Sequence, residues 1–500
     1  MLRILGNPKT LCNGVTRRDL LEVGGLSLLG LGLTDYLRMQ PAQASPGGVS
    51  KNFGKAKSCI LLFPFGSPSQ HETFDPKPLA PLEIRGEMGA INTAIPGVQI
   101  CDHLPRTASM LDRLTVVRSM THQYPLHGVA YAVSGIPLYD TSLEERARDQ
   151  RHWPFIGSIV DWMYDRGRSE GSPQFPRNVA LPWLFQSQSD IPGANAGPFA
   201  SFLGQKYDPY CPRFVGPGTK IAPKLNDAQR VEYLDPFAGL TAEGYFSVVG
   251  NGRPLPEFTL DRLSRRKSLL DQFDANRRRL ETDSRLSQFD AQQQTAFSLL
   301  TSRKLRDALD ISREPQHIRD DYGMTLFGQS CLAARRLVEA GSKFVTVFWD
   351  AYQIYLNSSW DTHSNHYPRM KEYLLPGMDS ALPALILDLE SRGLLDETLV
   401  LWMSEHGRTP QIDPKPKGAG RHHWSRAYSV ALAGAGIARG KIVGATDKIG
   451  GDVRDNPISP KDILATTLHL LGIDPQTQML DYDGRPHPLA GDGHVRSELF

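Results

Sequence analysis

Short runs of apolar residues recur along the chain, and each has the length of one buried β-strand. Continuous apolar runs of about four to eight residues are typical of strands covered on both faces. In one of them, Val400 and Trp402 should face one side of a sheet, and the residues adjacent to them should face the other. The five runs that predict strands are Ser58–Phe65, Leu114–Met120, Lys343–Trp349, Thr398–Met403 and Tyr428–Gly434.

Helical patterns lie between several of these runs. One helix is predicted to end at Gly341, a stop signal before the next strand. A second is predicted from Ser459 as N-cap, with Pro460 at the first helical position and Gly472 as the stop. The first helix collects its apolar residues largely on one face, at Leu326, Cys331, Leu332 and Leu337. Alternating strands and helices predict an α/β fold, with a mostly parallel central sheet and helices on both faces.

The composition is that of a globular protein with a large core. The chain has 500 residues, of which 40% are hydrophobic and 22% charged, so its length permits one large domain or a few smaller ones. We predict a single α/β domain over residues 50–500, with a helical insertion at about 257–312 that is rich in Arg, Gln, Asp and Leu. A net charge of +2 without a basic tract argues against nucleic acid as a partner.

Residues 1–44 have the pattern of a twin-arginine signal peptide. Arg17 and Arg18 precede a short, glycine-diluted apolar stretch at 23–33, and the tripeptide Ala42–Ala44 has the small-x-small pattern that a signal peptidase accepts. An amphipathic N-terminal helix is the alternative. The signal predicts export to the periplasm or beyond by the twin-arginine machinery, which carries folded proteins. No later apolar run has the length of a membrane span.

The cysteines exclude some classes of site. Beyond the predicted signal they are widely spaced, at Cys59, Cys101, Cys211 and Cys331. The absence of any C-x-x-C pattern argues against a zinc ribbon, an iron–sulfur cluster and a thioredoxin-type site. One or two disulfides remain open for an exported protein.

Side chains of the kind that bind metals stand near the ends of predicted strands in three places. Carboxylates mixed with imidazoles suit zinc, manganese, iron or a similar divalent ion. Ligand sites in such sheets lie outside the carboxyl ends of the strands, so we expect the three places to meet at one edge. The residues are Asp361, His363 and His366 in the first place, Glu405 and His406 in the second, and His422 and His423 in the third.

Several phrases together resemble the exported, sulfatase-like family called domain of unknown function 1501, within the alkaline phosphatase/sulfatase-like superfamily. The resemblance runs from about residue 50 to the C-terminus, and it implies an alkaline phosphatase-like fold. The phrases are "ETFDPKP" (72–78), "VVRSMTH" (116–122), "WDTHSNH" (360–366), "GLLDETLVLWMSEHGRTP" (393–410), "GRHHW" (420–424) and "SPKDILATTLHLLGID" (459–474).

The resemblance also implies metal positions. Asp361 with His363 or His366 would serve one metal position. Glu405 and His406 would match the acid–histidine pair that follows the superfamily's late strand. His422 or His423 would match its last histidine. The bound ion would be zinc, manganese, iron or calcium.

The first strand departs from the superfamily pattern. The superfamily places a metal-binding aspartate at the end of this strand, whereas this chain reads "FPFGSPSQHETFD" there. The remaining carboxylates, Glu72 and Asp75, lie further along and are the candidates for the missing ligand.

The nucleophile of the superfamily opens the helix after the next strand. Here the corresponding phrase offers Ser119 and Thr121, and it lacks the sulfatase C-x-P-x-R, which disfavours a formylglycine enzyme. We predict Thr121 or Ser119 as nucleophile, with water as the alternative. Arg118 or Arg408 would hold the charged oxygens of the ester, because a planar guanidinium matches them in a bidentate way. Helix capping is an equally good interpretation of the two hydroxyls.

The sequence therefore predicts an exported, metal-dependent hydrolase of phosphate or sulfate esters, acting on a small molecule or a polysaccharide. One rival is a catalytically degenerate, exported protein of the same fold that binds a glycan or surface polymer, and the missing aspartate favours it. The other is a dinucleotide oxidoreductase, suggested by the run Gly434–Gly440. In that run Arg439 replaces the last glycine of the G-x-G-x-x-G pattern.

Overall fold

A seven-stranded sheet forms the centre of the described chain. The computed structural model describes residues 52–500 except 125–126, 136–145, 167–174, 189–196, 223–232, 249–301, 354–358 and 415–417. The predicted signal peptide and most of the predicted helical insertion lie outside these residues. The sheet strands are β1 (Ser58–Pro64), β2 (Thr115–Met120), β3 (Asn178–Leu181), β4 (Phe344–Trp349), β5 (Thr398–Trp402), β6 (Tyr428–Ala433) and β7 (Lys441–Val443).

The strand order across the sheet is β7-β2-β6-β5-β1-β4-β3. β1 pairs in parallel with β4 and β5, β4 with β3, and β2 with β7. β6 alone among these strands is antiparallel to both of its neighbours, β5 and β2. Helices pack against the sheet, so the predicted α/β class with a mostly parallel sheet is confirmed.

The direction of β6 matters for the position of its loops. Because β6 is antiparallel, its start lies at the sheet edge where β1, β2, β4 and β5 end. Residues that precede β6 therefore reach the same edge as residues that follow the parallel strands. The three groups of candidate metal ligands therefore share one sheet edge, as predicted. The third group reaches this edge because β6 runs in the reverse direction.

β5 is buried on both faces, as predicted from its apolar run. All five of its residues are buried. Val400 and Trp402 contribute to the core on one side of the sheet, whereas Leu399 and Leu401 contribute to the core on the other. A strand covered on both sides needs no polar face, which explains the continuous apolar run.

Both predicted helices are confirmed, the second with its predicted N-cap. The helix Leu326–Glu339 begins after Thr325, whose hydroxyl accepts from the Gly328 N–H at 3.1 Å. The helix Pro460–Leu470 begins with a capping box, in which Ser459 and Asp462 bond each other's backbone N–H groups.

Further elements surround the sheet. The other helices are Leu82–Arg85, Pro105–Ser109, Val129–Ser134, Ile156–Arg166, Arg303–Leu309, Gln316–Tyr322, His366–Arg369 and Leu375–Ser391, with a π-helical turn at Met370–Leu374. Small two-stranded sheets pair Ala90–Asn92 with Gln99–Cys101, Arg213–Val215 with Tyr245–Ser247, Gly218–Lys220 with Asp235–Leu240, Gly407–Arg408 with His423–Trp424, Ala445–Thr446 with Val453–Asp455, and Gln478–Leu480 with Pro486–Pro488. Among the described residues, no helix has both the length and the apolar character needed to cross a membrane.

Two of the open interpretations do not survive in the structure. The run Gly434–Gly440 forms turns between β6 and β7 and opens no helix, so the dinucleotide-binding interpretation is wrong. The cysteines of the described chain are free. The sheet separates Cys59, in the core on one side, from Cys101 and Cys331, in the core on the other.

Candidate metal centre

Four segments bring imidazoles and carboxylates to the sheet edge where β1, β2, β4 and β5 end. The loop after β2 supplies His127, and the segment after β4 supplies Asp361 and His363. The end of β5 supplies Glu405 and His406, and the residues before β6 supply His423. We call these six residues, His127, Asp361, His363, Glu405, His406 and His423, the histidine cluster.

One part of the histidine cluster is centred on the Asp361 carboxylate. Its Oδ1 lies 2.9 Å from His363 Nε2 and 3.4 Å from His423 Nε2, and its Oδ2 lies 3.3 Å from His127 Nε2. One ligand atom from each of these residues lies within 4.8 Å of the others. Contacts of about 3 Å are the spacing that ligands around one ion need, because metal–ligand bonds to N and O are about 2.0–2.2 Å long.

The other part of the histidine cluster shares His127. Its Nδ1 lies 2.8 Å from Glu405 Oε1. His406 completes a second group, in which one ligand atom per residue again lies within 4.8 Å of the others. The His127 ring therefore stands between two carboxylates, with one ring nitrogen facing each.

A short antiparallel pairing aligns the second and third predicted places. Gly407 pairs with Trp424, and Arg408 pairs with His423. The segments "SEHG" and "GRHHW" are thereby held side by side, which sets His406 and His423 with ring centroids 4.7 Å apart. Residues 17 positions apart in sequence meet through this backbone pairing.

The end of β1 contributes backbone to the histidine cluster. Gly66 has a φ of +99°, and a Cβ there would lie 2.2 Å from the Asp361 backbone nitrogen, so this position requires glycine. The Gly66 N–H donates to Glu405 Oε1 at 2.9 Å. A backbone N–H donor thus occupies the position where the superfamily pattern has a metal-binding carboxylate.

The side chains of the histidine cluster fit a divalent ion. His406 is 1% exposed, and its Nδ1 lies 2.8 Å from the Gly407 carbonyl oxygen, to which it donates. The lone pair is therefore on Nε2, which is buried and has no hydrogen-bond partner. A backbone carbonyl on the second nitrogen is how metal-binding histidines are usually oriented. Imidazole nitrogens with carboxylate oxygens are ligands for zinc and similar ions.

The electrostatics of the histidine cluster also call for positive charge. Burial works against ionising Asp361, yet Arg408 and His127 hold the pKa of this carboxyl well below its usual value. Burial alone would lower the pKa of His127, but Asp361 and Glu405 raise it to about 9. A protonated His127 thus balances two buried carboxylates, a task that a bound cation can take over.

Arg408 is not placed to bind a substrate, contrary to one prediction. It is fully buried, and it donates to Asp361 Oδ1 and to the carbonyl oxygens of Ser67, Gly66 and Arg421. Because all these acceptors lie inside the protein, the guanidinium holds Asp361 in position and has no free edge for an ester.

Glu72 and His366 form a separate buried group with Arg421, which we call the Glu72 cluster. Arg421 Nη2 donates to Glu72 Oε1 at 2.7 Å, and His366 Nε2 lies 3.2 Å from Glu72 Oε2. His366 Nδ1 is 2.7 Å from the Thr362 hydroxyl. Neither Glu72 nor His366 belongs to the groups whose ligand atoms lie close enough to share an ion. The Glu72 carboxylate is neutralised by Arg421 instead.

Three further predicted residues also lie outside the histidine cluster. Asp75 is bound to Lys77 at 2.9 Å and to the Thr446 hydroxyl, and Arg118 lies 3.7 Å from the same carboxylate. Ser119 is fully buried, and its hydroxyl donates to the Asn456 carbonyl oxygen at 2.5 Å. Arg118 and Ser119 are thus occupied by internal contacts.

Thr121 and His422 lie at the rim of the candidate centre. Thr121 and His423 both line a cavity of about 790 Å³. His422 is half exposed, and its Nδ1 lies 2.9 Å from His363 Nδ1. Of the two residues predicted as nucleophile, Thr121 is therefore the one that lines a cavity.

The sequence interpretation missed His127, the residue shared by both parts of the histidine cluster. It stands seven positions after the end of β2, in the phrase that we searched only for a nucleophile. The signal was available, since a histidine near the end of a predicted strand marked each of the other three places. His122, in the same phrase, supports the cluster by bonding the Glu405 carbonyl oxygen through Nε2 at 2.8 Å.

The fold and the candidate centre define an α/β protein with a group of imidazoles and carboxylates able to hold a metal ion. The chain belongs to the family described as "Protein of unknown function (DUF1501)", whose profile matches residues 56–500. The predicted family is therefore confirmed. The sequence matches no curated protein.

Solved structures with similar folds share little sequence with this chain. The PsFucS1 sulfatase from Pseudoalteromonas sp. is 12% identical, with a TM-score of 0.38 over 89% of this chain and 74% of that one. The lipoteichoic acid synthase LtaP from Listeria monocytogenes is 11% identical, with a TM-score of 0.35 over 89% and 79%. The periplasmic domain of EcEptC from Escherichia coli, solved with Zn, is 10% identical, with a TM-score of 0.30 over 88% and 97%. Likenesses this distant carry no argument about function.

Proposed function

We propose that the protein is an exported, metal-dependent hydrolase that cleaves a phosphate or sulfate ester. The observation that carries the proposal is the histidine cluster, in which four imidazoles and two carboxylates from four loops meet beside an open cavity. Among these imidazoles, His406 has a buried Nε2 without a hydrogen-bond partner, so its lone pair is available to an ion.

The proposed chemistry divides between the ion and the side chains. A divalent ion bound there supplies Lewis acidity, which draws charge from an ester oxygen and makes water more acidic. Asp361 and Glu405 provide the negative charge that holds the cation, and Arg408 fixes the orientation of Asp361. Hydrolysis breaks the bond between phosphorus or sulfur and the ester oxygen. Water then supplies a hydroxyl to the acid product and a proton to the alcohol.

Thr121 is the proposed nucleophile, with water as the alternative. Thr121 lines the same cavity as His423. The matched pair Thr121→Ala and Thr121→Ser separates the two mechanisms, because only the serine variant retains a hydroxyl. Loss of activity in the alanine variant with retention in the serine variant supports a threonine nucleophile. Equal activity of the two variants supports direct attack by water.

The proposal is tested by metal analysis of the purified mature protein, followed by a screen of aryl phosphates and aryl sulfates. The screen is run with zinc, manganese, iron or calcium added singly to the metal-free protein. We expect a bound ion and hydrolysis of one ester class that a chelator abolishes. A protein that takes up none of these ions and cleaves none of the esters contradicts the proposal.

A catalytically silent, exported binding protein is the second candidate. The observation that favours it is the end of β1, where Gly66 offers a backbone N–H in place of a carboxylate, while Glu72 and Asp75 are engaged elsewhere. For this candidate we expect metal uptake without turnover of any ester.

Export through the twin-arginine machinery is part of the proposal and rests on the sequence of residues 1–44. Replacing Arg17 and Arg18 by Lys should trap the precursor inside the cell, because the arginine pair is recognised as an address. Normal export of the double variant contradicts this part alone.

A further inference from the structure

The cavity of about 790 Å³ beside the histidine cluster is much larger than an inorganic ester group needs. His423 belongs both to the histidine cluster and to the wall of this cavity, so the two spaces adjoin. An ester held at the cluster would project its remaining part into the cavity. Ligand sites for whole organic molecules have volumes of about 300–1,000 Å³. The cavity therefore has the size of a subsite for the alcohol part of the substrate.

We propose that this cavity binds the sugar part of the ester and that Arg454 binds a second anionic group on that sugar. The inference rests on the proposed function and deepens it by naming the substrate class, an oligosaccharide with at least two negatively charged groups. The residues that carry it are Thr121, His423, Trp424, Arg426, Asp452 and Arg454, all of which line the cavity.

Trp424 gives the cavity a fixed aromatic wall. Its Nε1 donates to the Gly451 carbonyl oxygen at 2.7 Å, and its backbone is held by the pairing with Gly407. An indole combines an apolar face with a polar edge. A sugar ring has the complementary character, with C–H groups on its faces and hydroxyls around its rim, so it can stack on such a wall.

The charges around the cavity favour a second anion. Arg426 is paired with Asp452, at 2.6 Å, and its Cζ lies 5.6 Å from the Trp424 ring centroid. Arg454 is exposed and has no ion-pair partner among the residues that the structure describes. One guanidinium is thus left to bind a sulfate, phosphate or carboxylate, whose oxygens match its planar donors.

The character of the wall argues against a lipid or a simple aryl alcohol as the natural occupant. Two arginines, an aspartate and Thr121 line the cavity together with Trp424, so a long hydrocarbon chain would desolvate charged groups without replacing their hydrogen bonds. A hydroxylated ring satisfies these groups, and a second charge on that ring satisfies Arg454.

The test measures binding by calorimetry with the full metal-loaded chain, using a disulfated disaccharide and its monosulfated counterpart. We expect Arg454→Gln to weaken binding of the disulfated disaccharide about ten-fold, as expected for one charge-assisted contact, and binding of the monosulfated one much less. Arg485→Gln is the control, because Arg485 is also exposed, in the turn between Gln478–Leu480 and Pro486–Pro488, and lies outside the cavity.

Two results overturn the inference. One is equal affinity of the wild type for the two disaccharides, and the other is an Arg454→Gln variant that binds like Arg485→Gln. Failure of the proposed function gives a different result. The disulfated disaccharide then binds, and Arg454→Gln lowers its affinity, but no ester is hydrolysed with any metal. Hydrolysis of aryl esters without binding of either disaccharide leaves the proposed function standing and removes the inference.

Discussion

The Glu72 cluster and the histidine cluster both take residues from the segment 360–366, yet their side chains are arranged differently. Each combines carboxylate with imidazole and contacts an arginine, but the Glu72 cluster is fully buried, whereas His127, His363 and His423 of the histidine cluster are partly exposed. In the Glu72 cluster, Arg421 donates through Nε and Nη2 to a single carboxylate. Charge in this cluster is balanced by the protein itself.

The histidine cluster places three imidazoles, those of His127, His363 and His423, around one carboxylate, that of Asp361. Two buried carboxylates face one guanidinium, that of Arg408, and a shared imidazole, that of His127. The His406 Nε2 lone pair has no donor. The comparison teaches that residue type does not distinguish a structural cluster from a candidate metal centre, whereas the number of imidazoles around one carboxylate and their partial exposure do.

The largest expected effect comes from breaking the Glu72 cluster. Glu72→Gln leaves the Arg421 charge buried without its counter-charge, and we expect a loss of about 3 kcal/mol in the free energy of unfolding. Metal content per folded protein should not change. Glu397→Gln is the control, since Glu397 pairs with Lys57 at the surface and should lose less than about 1 kcal/mol. Urea denaturation measures both, and a Glu72 variant as stable as its control contradicts the comparison.

The second effect concerns stabilisation by a bound ion. His406→Ala should abolish most of the rise in stability that metal gives the wild type, which is about 2.7 kcal/mol when metal is present at a hundred times its Kd. The measurement is the difference in Tm with and without metal. His469→Ala, at a buried histidine outside both clusters, should lower Tm but preserve that difference. A metal-induced shift that survives His406→Ala refutes the assignment.

The third effect separates two histidines that are three positions apart. His363→Gln should lower metal content, because His363 Nε2 lies 2.9 Å from Asp361 Oδ1. His366→Gln should leave metal content unchanged and cost about 1–3 kcal/mol, since it disturbs a buried bond to Thr362 and the contact with Glu72. Metal analysis combined with urea denaturation of both variants checks this. Loss of metal in His366→Gln but not in His363→Gln would contradict the assignment of the two clusters.

The smallest expected effect concerns Asp350, a buried carboxyl that belongs to neither cluster. Burial raises the pKa of Asp350 to about 7, although backbone N–H groups of Gln186 and Ala351 bond to it. The folded state therefore holds a proton that the unfolded chain releases near pH 4, so this group makes stability fall as pH rises from about 4 through 7.

Asp350→Asn should remove that fall and gain about 1–2 kcal/mol at pH 8, less than the full pKa shift implies because the amide accepts one N–H bond fewer. Urea midpoints at pH 5, 6, 7 and 8 measure it, with Asp483→Asn at the surface as control. Wild type and Asp350→Asn with parallel pH profiles would contradict the prediction.

Much of the fold could be predicted because local patterns reflect burial. Apolar runs located five of the seven sheet strands to within a residue or two, and capping residues located two helices. The edge strands β3 and β7 were missed because they are only four and three residues long, too short for a periodic pattern. Five of the six residues in the histidine cluster were identified from their position near strand ends.

What the sequence alone determined was the class of fold, the family and the set of side chains near one edge of the sheet. Only the tertiary structure decided which of those side chains contact one another. It joined His127 to Asp361, 234 positions away, separated His366 from His363, and turned Arg408 inward. The physical reason is that periodicity and capping record each residue's local surroundings. The partners of a buried charge are set by loops that meet from distant parts of the chain, and by the reversed direction of β6.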